Sequence, residues 1–359
     1  MLETPMPAFT DNNIPVVFAC SDVFIPHAAA AMQSLIEHSS ASYNYDLIFL
    51  HTEISENNQR IMHTMVKSFS NISLRFYNIE AYVKPQKLRV HGQYRAEAFY
   101  RLLIPQLLYK YEKVIYLDSD LTILKNIAEL FEIDIGNNLL GATIDLGMMT
   151  WWITDPQIKN YLENFLHLKS PNFYIQSGVL VFNIYEFNKV FAAYELLELA
   201  EKNNYMYLDQ DILSAKCQGR FYPLDINWDV LIYDQNFFEP LRSFSPSLYQ
   251  KYQGSKKNPY IIHHAGIVKP WYSPEIEFGE AYWEYERKTP FYEITLWRIF
   301  NRDKESEHAI ADNRSAARKF ADRFLPKGTF RRRIAKKILP KGSRRWQFCK
   351  KIYDFMRRQ

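Results

Sequence analysis

Lys113-Val-Ile-Tyr-Leu-Asp118-Ser-Asp120-Leu-Thr-Ile-Leu124 is the stretch that decides the fold. A short apolar run delivers two carboxylates two residues apart, and a second apolar run follows at once. The first run reads as a core strand of an α/β sheet. In extended backbone, side chains at i and i+2 point the same way, so Asp118 and Asp120 face one object. Paired carboxylates repel unless a cation lies between them. Hard divalent ions such as Mg²⁺ and Mn²⁺ accept carboxylate oxygens and keep positions open for substrate phosphates. The pattern points to a metal–diphosphate site at the carboxyl end of a strand, where open α/β sheets bind ligands. A polar strand exit with two solvated aspartates is the plainer alternative.

Outward from this stretch the first half of the chain alternates. Residues 14–20 (IPVVFAC), 45–50 and 72–77 read as strands, with helices expected over 28–38, 55–68 and 95–109. Strands separated by helical segments mean a mainly parallel sheet covered on both faces. Residues 141–145 (GATID) and 178–183 (GVLVFN) read as later strands, and a helix is expected over 209–216 with Asp209 near its N-terminus. Beyond residue 270 the pattern turns aromatic, through Trp271, Tyr272, Tyr282, Trp283, Tyr285, Phe291, Tyr292 and Trp297. These rings are expected chiefly to pack a helical layer, with capping of the site as the other reading.

Composition fits a sizeable folded core: 359 residues, 47% hydrophobic, with 25 Tyr, 25 Phe and only 11 Gly. Cys20, Cys217 and Cys349 are too few and too scattered for a zinc framework or a disulfide scaffold, which suits a reducing cytosol. The N-terminus shows no signal-peptide pattern, and no apolar run approaches the ~20 residues of a membrane-spanning helix.

The net charge of +4 hides a division. Residues 319–359 carry 15 Lys/Arg against two acids, while the preceding 318 residues carry 29 against 38. This basic end holds a 14-residue repeat: LPKGTFRRRIAKKI at 325–338, then LPKGSRRWQFCKKI at 339–352. Each unit opens on a turn and proceeds into an expected basic amphipathic helix. Phe330, Ile334 and Ile338 share one face, and Trp346 and Ile352 share another. Arg331, Arg332, Arg333, Lys336 and Lys337 supply charge to the first unit. Such helices suit an anionic membrane surface, each cation contributing on the order of 1 kcal/mol. A nucleic-acid partner would share the charge but not the apolar faces, so none is expected.

Four further segments join the Asp-x-Asp: Phe18-Ala-Cys-Ser-Asp22-Val-Phe24; Ala98-Phe-Tyr-Arg101-Leu; Tyr207-Leu-Asp209-Gln210-Asp211, which follows Gln176-Ser-Gly178; and His263-His-Ala-Gly266-Ile-Val-Lys269-Pro-Trp271. In this order, from about residue 14 to 285, the set resembles glycosyltransferase family 8, retaining enzymes that include bacterial lipopolysaccharide galactosyl- and glucosyltransferases. The resemblance implies an α/β fold with a single Rossmann-like nucleotide-sugar-binding domain, of mixed and mainly parallel sheet, to which the charge and repeat add a C-terminal helical, basic extension. On that view residues 12–270 form the transferase domain, 271–318 an aromatic helical segment packing on it, and 319–359 the membrane-associating tail.

The resemblance also implies roles. Asp118, Asp120 and His263 would hold Mn²⁺ or Mg²⁺, with Lys269 and Gly266 at the donor diphosphate. Ala19, Asp22 and Phe24 match the nucleoside pocket, and Ser119, Gln176, Arg101 and Asp145 the rest of the donor site. Gln210 would support charge on the donor sugar, with Asp209 as alternative nucleophile or orienting partner. Ser21 and Gln176 depart from the family pattern, which often has Asp or Asn at the first position and Asn at the second. The expected activity is metal-dependent, retaining transfer of galactose or glucose from its UDP donor to a saccharide acceptor. That acceptor is expected to be lipid-linked, a lipopolysaccharide core or other bacterial surface glycan, reached from the inner face of the cell membrane. A nucleotide-sugar hydrolase and a catalytically silent sugar-binding protein are the rivals.

Overall fold

Residues that alternate along the apolar runs enter two different cores. In β1 (Asn13–Ala19), Ile14, Val16 and Phe18 join one hydrophobic cluster and Val17 the other. β2 (Asn44–His51) divides in the same way, with Leu47 and Phe49 against Ile48 and Leu50. Burial on both faces explains why these strands read as continuous apolar runs. The structure is a computed structural model that describes residues 4–301, apart from 87, 89, 91–94 and 235. The expectations placed on residues 319–359, including the repeat and its membrane-facing side chains, lie outside the described residues.

The remaining strands are β3 (Ile72–Asn78), β4 (Lys113–Leu117), β5 (Leu121–Ile123), β6 (Leu140–Ile144), β7 (Ile175–Asn183), β8 (Phe221–Pro223), β9 (Val230–Leu231) and β10 (Ile261–His263). Seven form one sheet in the order β3-β2-β1-β4-β7-β6-β8, and three form a second in the order β5-β10-β9. In the large sheet β1 pairs in parallel with both β2 and β4, while β7 runs antiparallel to β4 and β6. This is the mixed, mainly parallel α/β sheet that the sequence implied. Helix Ile25–Glu37 covers one face, burying Ala28, Met32 and Leu35. Helix Leu208–Lys216 covers the other through Ile212 and Leu213.

Chain order reverses between β1 and β4, whose paired residues Phe18 and Leu117 are the last before the loops. This is a topological switch point, where a crevice opens outside the strand ends. Because β7 runs the other way, its first residues reach the same rim. The Asp118 N–H donates to Gly178 O at 2.8 Å, and Ile144 at the end of β6 faces Ile175. The second sheet arrives through β10, where His263 pairs with Leu121.

Three expectations are corrected. Residues 95–109 do not form one α-helix. A 3₁₀ helix spans Ala96–Leu103 and one α-turn, Ile104–Leu107, follows. Pro105 has no N–H to give the Arg101 carbonyl, and Ile104 N–H takes that carbonyl one residue early. Asp118 and Asp120 lie in the turn between β4 and β5, not in extended strand. Their convergence comes from that turn being clamped on both sides, since the Asp120 carbonyl accepts from His264 N–H at 3.1 Å. β7 begins at Ile175, before the expected 178, because Ile175, Gln176 and Ser177 also pack inward.

Helix Glu56–Val66 follows the capping expectation, with Ser55 Oγ accepting from Asn58 N–H. Of the aromatic segment, Trp271, Tyr282, Trp283, Tyr285 and Phe291 are buried, whereas Tyr272 and Trp297 are exposed. The chain divides into two units, Met1–Leu296 and Trp297–Gln359. Cys20 and Cys217 are buried free thiols, each pushed up to about 12 by burial. No helix among the described residues is long and apolar enough to cross a membrane.

Candidate active site

The rim where β1, β4, β6, β7 and β10 end or begin gathers most of the residues singled out in the sequence. Asp118 and Asp120 enter from the β4–β5 turn and His263 from the end of β10. One ligand atom from each lies within 4.8 Å of the others. His263 Nε2 is 3.3 Å from Asp120 Oδ1 and 4.0 Å from Asp118 Oδ2.

On its far side, His263 Nδ1 is 2.9 Å from Asp229 Oδ1. Asp229 is fully enclosed and ends the short 3₁₀ turn Ile226–Trp228, which Asp225 caps. A carboxylate behind a histidine fixes the ring so that the other nitrogen faces a metal, an arrangement common in metal sites. Gly178 gives the ring its place: a side chain there would collide with the Cε1–Nδ1 edge of His263 and lie 2.9 Å from Asp118 Oδ2. Two carboxylates and one oriented imidazole within 4.8 Å of one another therefore fit a hard or borderline divalent cation. Burial would lower the His263 ring, but Asp120 and Asp229 outweigh it and push the ring up to about 10.

Lys269 donates to Asp120 Oδ2 at 2.7 Å and to the His264 carbonyl. Burial would raise the Asp120 carboxyl, but Lys269 and His263 hold it well below its ordinary range. The K-P-W sequence that carries Lys269 is anchored behind the site. Trp271 is 2% exposed and stacks on His27 at 3.9 Å, and Trp283 Nε1 donates to the Pro270 carbonyl at 2.9 Å. Gly266 sits in the connecting loop, where an added Cβ would lie 3.0 Å from the Ile232 carbonyl.

Arg101 joins the two halves of the rim. Its guanidinium donates to Asp118 Oδ1 at 2.9 Å and to the Ser177 carbonyl, pairs with Asp209 at 3.0 Å, and lies 4.3 Å over the Tyr116 ring. Burial acts against its charge, but Asp118 and Asp209 keep it protonated. Tyr116 adds an O–H donor to Asp118 at 2.7 Å. Asp209 is buried, which pushes its carboxyl up to about 6 against the pull of Arg101.

Gln210 is held at both ends of its amide. Its Nε2 donates to Asp145 Oδ2 at 2.7 Å, and its Oε1 accepts from Ser177 N–H and Oγ at 3.2 Å. Asp145 also caps helix Leu146–Thr154 by accepting from Met148 N–H at 2.8 Å. Burial pushes its carboxyl up to about 6 despite those donors.

The residues matched to a nucleoside pocket lie at the β1 end of the rim. Ala19 ends β1 and Ser119 is buried in the Asp-x-Asp turn. Phe24 is held edge-on to His27 and Trp271 at 5.6 and 6.0 Å, with Arg95 5.9 Å over its ring. Asp22 turns its Oδ1 toward Ser55 N–H and Asn58 Nδ2, bracing the next helix. Gln176 bends back onto its own strand, where its Oε1 accepts from Gly178 N–H. The Ser21 hydroxyl is buried and has no hydrogen-bond partner among the described residues.

Reading the sequence missed Asp229, Tyr116 and the role of Gly178. The last was quoted only as part of a strand. Asp229 offers no more signal than an acid before a short apolar run.

The family model for "Glycosyl transferase family 8" matches residues 15–274. Among curated relatives, "General stress protein A" of Bacillus subtilis (strain 168) is 22% identical over 270 residues, 73% of this chain and 89% of the relative. Among solved structures, the WbbM bifunctional glycosyltransferase in its apo form superposes with a TM-score of 0.75 at 27% identity. That match covers 83% of this chain and 53% of WbbM, so the chain spans about half the length of that protein. The galactosyltransferase LgtC, solved with donor and acceptor sugar analogues, superposes with a TM-score of 0.63 over 77% of this chain and 96% of LgtC. At 20% identity, that likeness speaks for the fold alone.

Proposed function

The chain belongs to glycosyltransferase family 8, and from that premise we propose that it transfers a hexose, galactose or glucose, from a UDP donor to a saccharide acceptor with retention of configuration. The observation that carries the reading is the convergence of Asp118, Asp120 and His263, with Gly178 giving the ring its place and Asp229 behind it. Asp118, Asp120 and His263 would hold Mn²⁺ or Mg²⁺, which supplies positive charge to the leaving diphosphate. Lys269 keeps an ammonium at the same place, tethered through Asp120. The partnerless Ser21 hydroxyl supports a polar ligand at the β1 end, since a buried hydroxyl without a partner costs ~1–3 kcal/mol.

The amide of Gln210 is a weak nucleophile and both its ends are engaged. Asp209 is committed to Arg101, which spends its charge on an ion pair. Neither group is arranged as a free nucleophile. This favours attack by the acceptor hydroxyl on the face that UDP leaves, the leaving phosphate taking the proton. The Gln210 carbonyl oxygen and the Asp145 carboxylate then supply fixed negative charge as positive charge develops on the sugar.

Turnover and saturation-transfer NMR with UDP-galactose, UDP-glucose and UDP-N-acetylglucosamine, with and without Mn²⁺, test the proposal. Metal-dependent binding and turnover of one hexose donor is the expected result. Binding of none would sink it, and UDP release that needs no saccharide would replace transfer by hydrolysis.

The basic repeat at 325–352 supports a lipid-linked acceptor at an anionic membrane surface. Removal of 319–359 is expected to abolish flotation with anionic vesicles while turnover on a soluble acceptor stays. Unchanged flotation would refute the membrane reading.

A further inference from the structure

A cavity of 530 Å³ opens beside the loop that carries His263 and Lys269. Two residues connect it to the site. Gly266 lines it and donates its N–H to the Ile232 carbonyl at 3.1 Å. Tyr233 lines it from the other side. A Cβ placed on Gly147 would lie 2.8 Å from the Tyr233 hydroxyl and 3.0 Å from Asp145 Oδ1, so the tyrosine sits beside the carboxylate that holds Gln210. Tyr233 thus reaches from the cavity wall toward the Gln210–Asp145 pair.

One wall is aromatic. Tyr233 and Phe237 stack at 4.5 Å and 13°, and Phe237 meets Trp151 edge-on at 5.8 Å. Trp151 stacks in turn on Tyr207, two residues before Asp209, so a run of rings leads from the catalytic helix into the cavity. The rim is acidic: among its described lining residues, Asp234, Glu239, Glu275 and Glu277 stand against one lysine, Lys256, already paired with Glu277 at 2.5 Å.

Rings accept the C–H faces of sugars, and carboxylates accept hydrogen bonds from hydroxyls. The same carboxylates repel a ligand that brings negative charge of its own. The volume is that of an ordinary small-molecule site. We infer that this cavity holds the acceptor glycan and selects an uncharged saccharide over one bearing sulfate, phosphate or carboxylate groups. The inference rests on the glycosyl-transfer reading and narrows it, since a strongly anionic core oligosaccharide would be a poor fit at this position.

The test uses the full chain with Mn²⁺ and UDP-galactose or UDP-glucose, whichever binds. Saturation-transfer NMR is recorded with lactose, maltose, cellobiose and 6′-sulfated lactose. At least one neutral disaccharide is expected to bind, and the sulfated sugar about tenfold more weakly than lactose. The double variant Asp234→Asn/Glu275→Gln, at two exposed positions, should bring the two lactose forms to within about threefold. Phe237→Ala should weaken neutral binding about tenfold while UDP-sugar binding holds. Equal or tighter binding of sulfated lactose by the parent would overturn the inference. So would failure of all three neutral sugars while the UDP-sugar still binds. Loss of UDP-sugar binding itself would strike the transfer reading first.

Discussion

The two ends of the cleft are built on opposite terms. At the Asp-x-Asp end Arg101, Asp118, Asp120, His263, Lys269 and Asp229 form a chain of ion pairs and hydrogen bonds, with Arg101, His263 and Asp229 buried and the other three half-buried. Across Gly266, the cavity presents half-buried rings and exposed carboxylates around open space. Groups in the first region fix one another, so a change to one is felt by all. Groups in the second reach the first through the Gly266 backbone, through Tyr233 and through the run of rings Phe237, Trp151 and Tyr207. Substitution is therefore costly in the first region and cheap in the second.

Gly178→Ala breaks this contrast most severely. The added methyl enters the space between His263 and Asp118. Mn²⁺ affinity measured by calorimetry should collapse and turnover should fall by about 10²–10³-fold, with ~1–3 kcal/mol of stability lost to overpacking. Mn²⁺ affinity within a factor of two of the parent would show that the placement of the His263 ring against Asp118 does not serve an ion.

Asp229→Asn is subtler, because the shape stays and only the carboxylate behind His263 goes. Loss of such a partner typically lowers metal affinity by about 10–100-fold. Acceptor binding in the cavity should not move. A variant with unchanged Mn²⁺ affinity would reduce Asp229 to a packing role.

The effect at Asp145, which lies where the two regions meet, falls on stability and leaves metal affinity unchanged. Burial raises its carboxyl from 3.8 to about 6, so the folded protein holds this proton more tightly than the unfolded chain. Stability from this group is full below pH 3.8 and is lost as pH rises through 6, by at most ~3 kcal/mol. Asp145→Asn keeps the helix cap and removes the loss. In paired melts at pH 4.5 and 7.5 the variant should therefore gain on the parent at the higher pH. A constant difference between the two would exclude burial as the cause.

What was legible in the sequence is what local pattern encodes. β1, β2 and β4 follow from apolar runs that need no partner to be recognised, and the Asp-x-Asp is two residues of one turn. Arg101 was named, but not its helix type, because Pro105 acts on hydrogen bonding four residues back. Gly178 and Asp229 were illegible for a different reason. One acts by the volume it leaves and the other by meeting a ring 34 residues away. Asp22 and Gln176 were assigned to the donor from their positions alone. The hydrogen bonds that turn them toward Ser55 and Gly178 depend on contacts that no motif contains.

The turn holding Asp118 and Asp120 belongs to both sheets at once, since β4 before it lies in the large sheet and β5 after it in the small one. His263, the third member, hangs from the small sheet, and Gly178 from the large. An ion gripped by Asp118, Asp120 and His263 would act as a rivet through two plates. Prying the plates apart would then mean tearing out the rivet, so metal should slow unfolding of the seam more than of either sheet.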